Sequence, residues 1–311
     1  MVLGTPVTWL IAEVLASVLF LMCIIHASKQ EHGIVRVLEL LGFIFYSAIF
    51  ENIGVFTHIY DYNVNRIMMI GKVPLEILMI EAVIFYATLL LIEKLGIPDW
   101  GKPFAVGFLA SFQDMSLDPS AVFDLHLLDG LASGQWNWTP RYDGTFFGIP
   151  FFNFSGWMYL MVYYTAAVLV GRWLYRKYKK EIIGYLYPFV GGLLGVLLLV
   201  SPLTQFLLFV MPFFPIYTRG AEIAILAVNF AVGLGILLAF QKIGQPFDLK
   251  KDYPVFLIPL VLHVFDLIIA FALQIEIAYI PVIAVSLIHL AYLLFVYLKG
   301  RKPGKSITAV A

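Results

Sequence analysis

The sequence predicts an all-α fold, a polytopic transmembrane helix bundle of eight or nine spans, and three observations predict it. Hydrophobic residues are 61% of the 311-residue chain and charged residues only 13%, more apolar surface than a water-soluble domain of this size can hide. Nine apolar runs stand out, near residues 7–27, 36–58, 73–95, 103–118, 154–173, 182–203, 220–241, 253–273 and 277–298. A helix needs roughly 20 residues to cross the hydrocarbon, so only the fourth run is short. With the N-terminus outside and nine crossings, all but four of the 20 basic residues fall on one side. The four are Arg66, Lys72, Arg141 and Arg219. That excess predicts a multi-pass protein of the cell membrane with a cytoplasmic C-terminus.

The first run reads as a retained span rather than a removed signal, because no basic segment precedes it and no small-residue cleavage site follows. Its Cys23 is the only cysteine, which excludes an internal disulfide framework and a cysteine-based metal site. The second run carries Glu51 and Asn52 late, on the outer side. The third carries Glu76 and Glu81, the seventh Glu222 and Asn229, and the eighth His263 and Asp266 three apart. Each such group is costly in lipid and is expected to face the bundle, where it can fasten helices or fix packing.

The fourth run is the informative one. It spans a membrane only if it continues helically toward His126, and it holds Gln113, Asp114 and Asp118. Four residues apart, the two aspartates share a helix face. Carboxyl groups this close resist joint ionisation, so the pair keeps a proton that a general acid can deliver even to an alkene. Asp118 precedes Pro119 and can instead turn the end of the helix.

Between the fourth and fifth spans the chain is rich in aromatics, with Trp136, Trp138, Tyr142, Phe146, Phe147, Phe151 and Phe152. Amphipathic rings settle at the headgroup level, so residues 119–152 are expected to form an interfacial cap, with Asp124 and Asp129 solvated on the approach to it. At the start of the fifth span Asn153 can cap the helix or hold a carboxylate or a water. Gly156 can admit a neighbouring helix, and Trp157 offers a wide ring face. Prolines at 188, 202, 212 and 215 mark kinks or the end of the sixth span, which can extend toward Leu208. The whole of 1–311 reads as one integral membrane domain with a short basic tail at 299–311.

Several chemistries are excluded. Lys plus Arg equals Asp plus Glu, leaving no basic face for nucleic acid. One isolated aspartate pair is not the cluster that shares magnesium with a diphosphate, and six scattered histidines cannot build an iron site. Neither a phosphate-cradling glycine loop nor a serine-nucleophile elbow is present. What remains is acid chemistry on an apolar molecule, or transport.

Four motifs taken together, Glu51-Asn52-x-Gly54, Asp114-x-x-x-Asp118-Pro119, Trp136-Asn137-Trp138 and Gly144-x-x-Phe147-Gly148-Ile149-Pro150-x-x-Asn153-Phe154-x-Gly156-Trp157, resemble the CruF-type carotenoid biosynthesis family. Its characterised members include carotenoid 1,2-hydratases and the bisanhydrobacterioruberin hydratase. The resemblance implies an integral membrane hydratase, a lyase of isoprenoid substrates, that adds water across the terminal double bond of an acyclic carotenoid, without a metal or other cofactor. It implies an acyclic carotenoid or other long isoprenoid, water and membrane lipid as partners, with other carotenoid-pathway enzymes as neighbours. On these motif positions, chemistry assigns Asp114 or Asp118 as the acid, and Glu51, Asn52 and Asn153 as holders of the attacking water. Trp136, Trp138, Phe147 and Trp157 then line the substrate site and shield the cation. An acid-triggered carotenoid or isoprenoid cyclase shares the first step and stays open, as does a transporter or binding protein for an apolar or protonated solute.

Overall fold

The computed structural model describes residues 1–2, 4–128, 130–139, 146–208 and 219–300. Asp129, Arg141, Tyr142, Gly144, the proline-rich stretch 211–215 and the tail beyond Gly300 lie outside the described residues. Helices α1 (Val7–Ser28), α2 (Gly33–Phe56), α3 (Leu75–Lys94), α4 (Lys102–Val122), α5 (Phe151–Tyr178) and α6 (Glu181–Leu199) are followed by a short α7 (Pro202–Leu208). The chain then continues through α8 (Arg219–Phe240), α9 (Tyr253–Ala272) and α10 (Glu276–Gly300). Eight of these, all but α4 and α7, are long and apolar enough to cross a membrane. This is a multi-pass membrane protein.

The helical periodicity of α1 shows how the sequence builds such a bundle. Trp9, Ala12, Ala16, Leu19, Cys23 and Ala27 are buried, whereas Ile11, Val14, Val18, Leu21 and Ile25 are exposed. Both faces are apolar because one meets protein and the other meets lipid. Helix α3 is buried almost all round, with Ala82, Val83, Ile84, Phe85 and Ala87 inaccessible or nearly so. Helix α4 packs against α3, α5, α8, α9 and α10. A helix enclosed on so many sides does not need a lipid-compatible surface, which is why the fourth run reads as short. It also runs straight through Pro119 to Val122, so Asp118 does not end the helix as a turn residue. The sixth span ends earlier than its apolar run, at Leu199, and Pro202 opens the separate α7.

Long-range contacts fix the alternating directions of the helices. At one end Thr8, on the first turn of α1, meets Asp124 just beyond α4. At the other end His26, late in α1, bonds Lys251 just before α9. The latter end also holds a part-buried charge network: Arg172 grips Glu39 through Nε at 2.6 Å and Nη2 at 2.5 Å and reaches Glu93 at 2.5 Å. Tyr187 donates to the same Glu39 carboxylate.

The end nearer Thr8 departs from a purely helical expectation. Three small antiparallel ribbons cover it: β1 (Tyr60–Tyr62) with β6 (Trp136–Trp138), β2 (Met69–Ile70) with β3 (Val73–Pro74), and β4 (His126–Leu128) with β5 (Leu131–Ser133). The first joins the α2–α3 connection to the α4–α5 connection, placing Tyr60 opposite Trp138 and Tyr62 opposite Trp136. Arg66 fastens this layer from inside. Its guanidinium donates to Glu76 at 2.9 Å and to Gln135, and it lies 4.7 Å from the Trp9 ring centroid. Asp124, expected to be solvated, is fully buried, accepting from Thr8 at 3.0 Å beside His126 at 2.9 Å. The chain folds back over it, so its Oδ1 meets Thr8 and His126 in place of water.

Candidate active site

A cavity of about 300 Å³ lies beneath the β1–β6 ribbon, walled by α2, α3, α4, α5 and α9. On α4, Asp114 and Asp118 project from one face as their spacing predicts, and both are almost wholly inaccessible. Asn153, in the first turn of α5, bridges them. Its Nδ2 donates to Asp114 Oδ2 at 2.9 Å and to Asp118 Oδ2 at 2.6 Å, using both amide hydrogens.

Asn153 is free to do this because it does not cap its helix. Pro150, extended at φ −60° and ψ 138°, occupies the N-cap position without a side-chain cap bond. Glu222 of α8 accepts instead from the Phe152 N–H at 2.6 Å, satisfying one of the donors that every helix start leaves over. The capping role expected of Asn153 is thus supplied from another helix.

Glu51, on α2, forms a second focus. Tyr60 and Tyr62 each donate to its Oε2 at 2.7 Å, and its carboxyl group lies in contact with that of Glu81 from α3. One turn beyond Glu51, a Cβ on Gly54 would stand 2.3 Å from the Tyr60 hydroxyl, so only glycine lets Tyr60 reach the carboxylate. Asp266, on α9, closes a third side. Ser116 bridges its Oδ2 at 3.0 Å and His263 Nδ1 at 3.1 Å, and His263 Nε2 meets His289 Nδ1 at 3.0 Å. The His263 and Asp266 pairing expected from their spacing therefore runs through a serine hydroxyl.

Of the remaining residues singled out from sequence, Trp136, Trp138 and Trp157 line the cavity with Glu51, Asp114, Asp118 and Asn153. Two do not. Asn52 points away and pins the β2–β3 turn, donating to Ile70 O at 3.0 Å and accepting from Lys72 N at 2.9 Å. Phe147 sits in a tight turn at φ 50° with its ring against Phe146; the backbone reversal that brings Pro150 to the helix start carries it off the wall. Gly156 does not admit a neighbouring helix either: nothing lies within 4 Å of where its Cβ would be, and the space belongs to the cavity.

Sequence reasoning missed Glu81, Asp266, Tyr60 and Tyr62 as members of this site. The alternation in Tyr60-Asp61-Tyr62, matched by Trp136-Asn137-Trp138, is the one signal that could have joined the two loops. Among the described residues, six carboxyl side chains line the cavity (Glu51, Glu76, Glu81, Asp114, Asp118 and Asp266) and no lysine, arginine or histidine does. Of these, only Glu76 has a cationic partner among the described residues, Arg66. Such a cavity favours positive charge, the more so because apolar walls and tryptophan faces keep the local dielectric low. Among the described residues no group of three or more His, Cys, Asp or Glu is arranged to hold a metal ion.

A family model described as carotenoid biosynthesis protein matches residues 12–214. The chain belongs to this family. Neither the curated proteins nor the solved structures searched contain a match. The matched stretch of this carotenoid biosynthesis protein includes both aspartates, Glu51, Glu81, Asn153 and the three tryptophans, so the acid-lined cavity sits within the part that defines the family. Leu262, Phe265, Asp266 and Ile269 come from α9 beyond it and complete the walls. Membership fixes the pathway as carotenoid biosynthesis and the partner class as an isoprenoid lipid.

Proposed function

We propose that the protein is a hydratase that adds water across the terminal double bond of an acyclic carotenoid. The observation that carries this reading is the aspartate pair held by the single Asn153 amide on the wall of a cavity lined by carboxyl groups and tryptophan rings and, among the described residues, by no cationic side chain. The Asp114–Asp118 pair holds one proton between two carboxyl groups. Transfer of that proton breaks an O–H bond and forms a C–H bond at the less substituted alkene carbon, leaving a tertiary carbocation. The remaining carboxylates stabilise that charge as it develops, and Trp136, Trp138 and Trp157 present ring faces to it. Water then forms the C–O bond and releases a proton, giving a tertiary alcohol. The apolar remainder of the polyene is accommodated between helices, where the leucine, isoleucine and phenylalanine lining is compatible with it.

The basic-residue distribution supports an orientation with the cavity end outward and the Arg172 end toward the cytoplasm. The test is direct. Membranes containing the protein are supplied with lycopene, an acyclic carotenoid with unmodified ends, and the pigment is analysed by mass spectrometry. A gain of one water per modified end is expected. Unchanged mass with altered absorption would replace hydration by cyclisation, and an unchanged pigment would contradict both.

A further inference from the structure

A cavity of about 300 Å³ is at the small end of those that enclose a drug-sized ligand, and a long polyene is stiff and extended. The acids can act on one end of such a chain only if the rest of it leaves the cavity through the wall. We infer that it does so between α2 and the break that separates α6 from α7, a passage from the bilayer to the aspartate pair with Thr57 and Val200 as its rims. The inference rests on the hydratase reading above and names the route its substrate takes.

The sequence parts the helices at this point. Helices α2 and α6 begin in close contact: a Cβ on Gly42 would meet Pro188 at 2.7 Å, and one on Gly195 would meet the Tyr46 ring at 2.8 Å. About one turn after Gly195, α6 ends at Leu199, and Pro202 starts the separate α7, which packs against α5, α6 and α8. The break is well finished. Thr204 donates to the freed carbonyl of Leu198 at 2.7 Å and Gln205 to that of Leu199 at 2.9 Å, while Tyr163 of α5 holds Thr204 at 2.6 Å. Irregular backbone at membrane depth is tolerated when side chains take up its polar groups in this way.

Past Tyr46, the residues Phe50, Ile53 and Thr57 share one face of α2 and all line the cavity, half-buried at Phe50 and Ile53 and exposed at Thr57. Among the described residues that line the cavity, Thr57 and Val200 alone are exposed, and they stand on the two helices that part. The surface around them is apolar, with Phe56, Leu197 and Leu203 62%, 64% and 67% exposed, so the opening faces hydrocarbon. On the far side Ala12, Leu15, Leu262, Phe265 and Ile269 line the cavity and are buried or half-buried, which closes it there. Helix α5 forms the floor of the passage. Asn153, Gly156, Trp157 and Leu160 recur at helical spacing along the cavity, leading from the amide that bridges the aspartates toward Tyr163 and α7. Nothing lies within 4 Å of where a Gly156 Cβ would be, which leaves room for a polyene beside the Trp157 ring.

Thiols placed at the rims test the route. Thr57→Cys, Val200→Cys and Leu197→Cys are made in the full-length chain, whose own Cys23 is fully buried. Leu197 is the control, being exposed without lining the cavity. Each protein in lipid vesicles is treated with benzyl methanethiosulfonate, and modification is verified by intact mass. Lycopene hydration is measured before treatment, after it, and after release of the benzylthio group with dithiothreitol. Modification at either rim should lower hydration by about 10-fold or more, the effect of a small added group in an apolar site, and dithiothreitol should restore it. Recovery shows that the protein stayed folded. Treated Leu197→Cys and treated wild type should keep their rates. Complete modification of both rims without loss, an equal loss at Leu197, or a thiol at Val200 that the reagent does not reach would each overturn the route while the hydratase reading stands. If the untreated wild type does not hydrate lycopene, the hydratase reading fails and takes this one with it.

Discussion

Asn153 Nδ2 stands 2.6 Å from Asp118 Oδ2 and joins the first turn of α5 to the last turns of α4. A second bond from the same nitrogen to Asp114 at 2.9 Å makes this amide the part that sets the distance between the two carboxyl groups. Replacing it tests whether that spacing matters. Asn153→Ala should lower turnover by about 100-fold, the loss expected when reacting groups shift by an ångström. It should cost about 1–3 kcal/mol in stability, as two buried carboxyl oxygens lose their donor. Kinetics and thermal unfolding in detergent, measured on the same preparation, check both.

Arg172 should separate stability from chemistry. It lies about 28 Å along α5 from Asn153 and fastens α2, α3 and α5 through Glu39 and Glu93. Arg172→Ala leaves the buried Glu39 carboxylate without its bidentate partner and should destabilise the protein by about 3–5 kcal/mol, with product identity unchanged. Arg172→Lys keeps the charge and loses the fork geometry, so its unfolding temperature should fall between those of Arg172→Ala and the wild type.

The spans were legible in the sequence because lipid imposes one demand on every exposed helix face, and runs such as 7–27 and 277–298 meet it over their whole length. The aspartate pair was legible for the same reason in reverse, as Asp114 and Asp118 are costly at membrane depth unless enclosed. The layer above them was not. Strands of three residues carry too little alternation to announce their partners, and the pairing of Tyr62 with Trp136 bridges two separate connections. Nor could local patterns show that Glu222 would take over the start of α5, or that Asn52 would hold a hairpin instead of a water. Those outcomes depend on which helices become neighbours.

Asp124 gives a pH signature outside the spans. Burial pushes its carboxyl group above the usual range, while Thr8 and His126 draw it back only in part. A group raised in the folded state binds more protons there than in the unfolded chain. Its contribution to stability is therefore complete below the ordinary carboxylate range and lost as pH rises through the raised value. The unfolding temperature should show a component that declines with increasing pH across this window, and Asp124→Asn should flatten it. A component of opposite sign removed by the same substitution would contradict the burial argument.

The central claim is that the Asp114–Asp118 pair protonates a carotenoid alkene within the acid-lined cavity. Its most direct test is lycopene turnover by Asp114→Asn, with alcohol product measured by mass spectrometry and folded protein by its elution and unfolding in detergent. Abolished hydration in a folded protein is the predicted result. Near-normal hydration would contradict the claim.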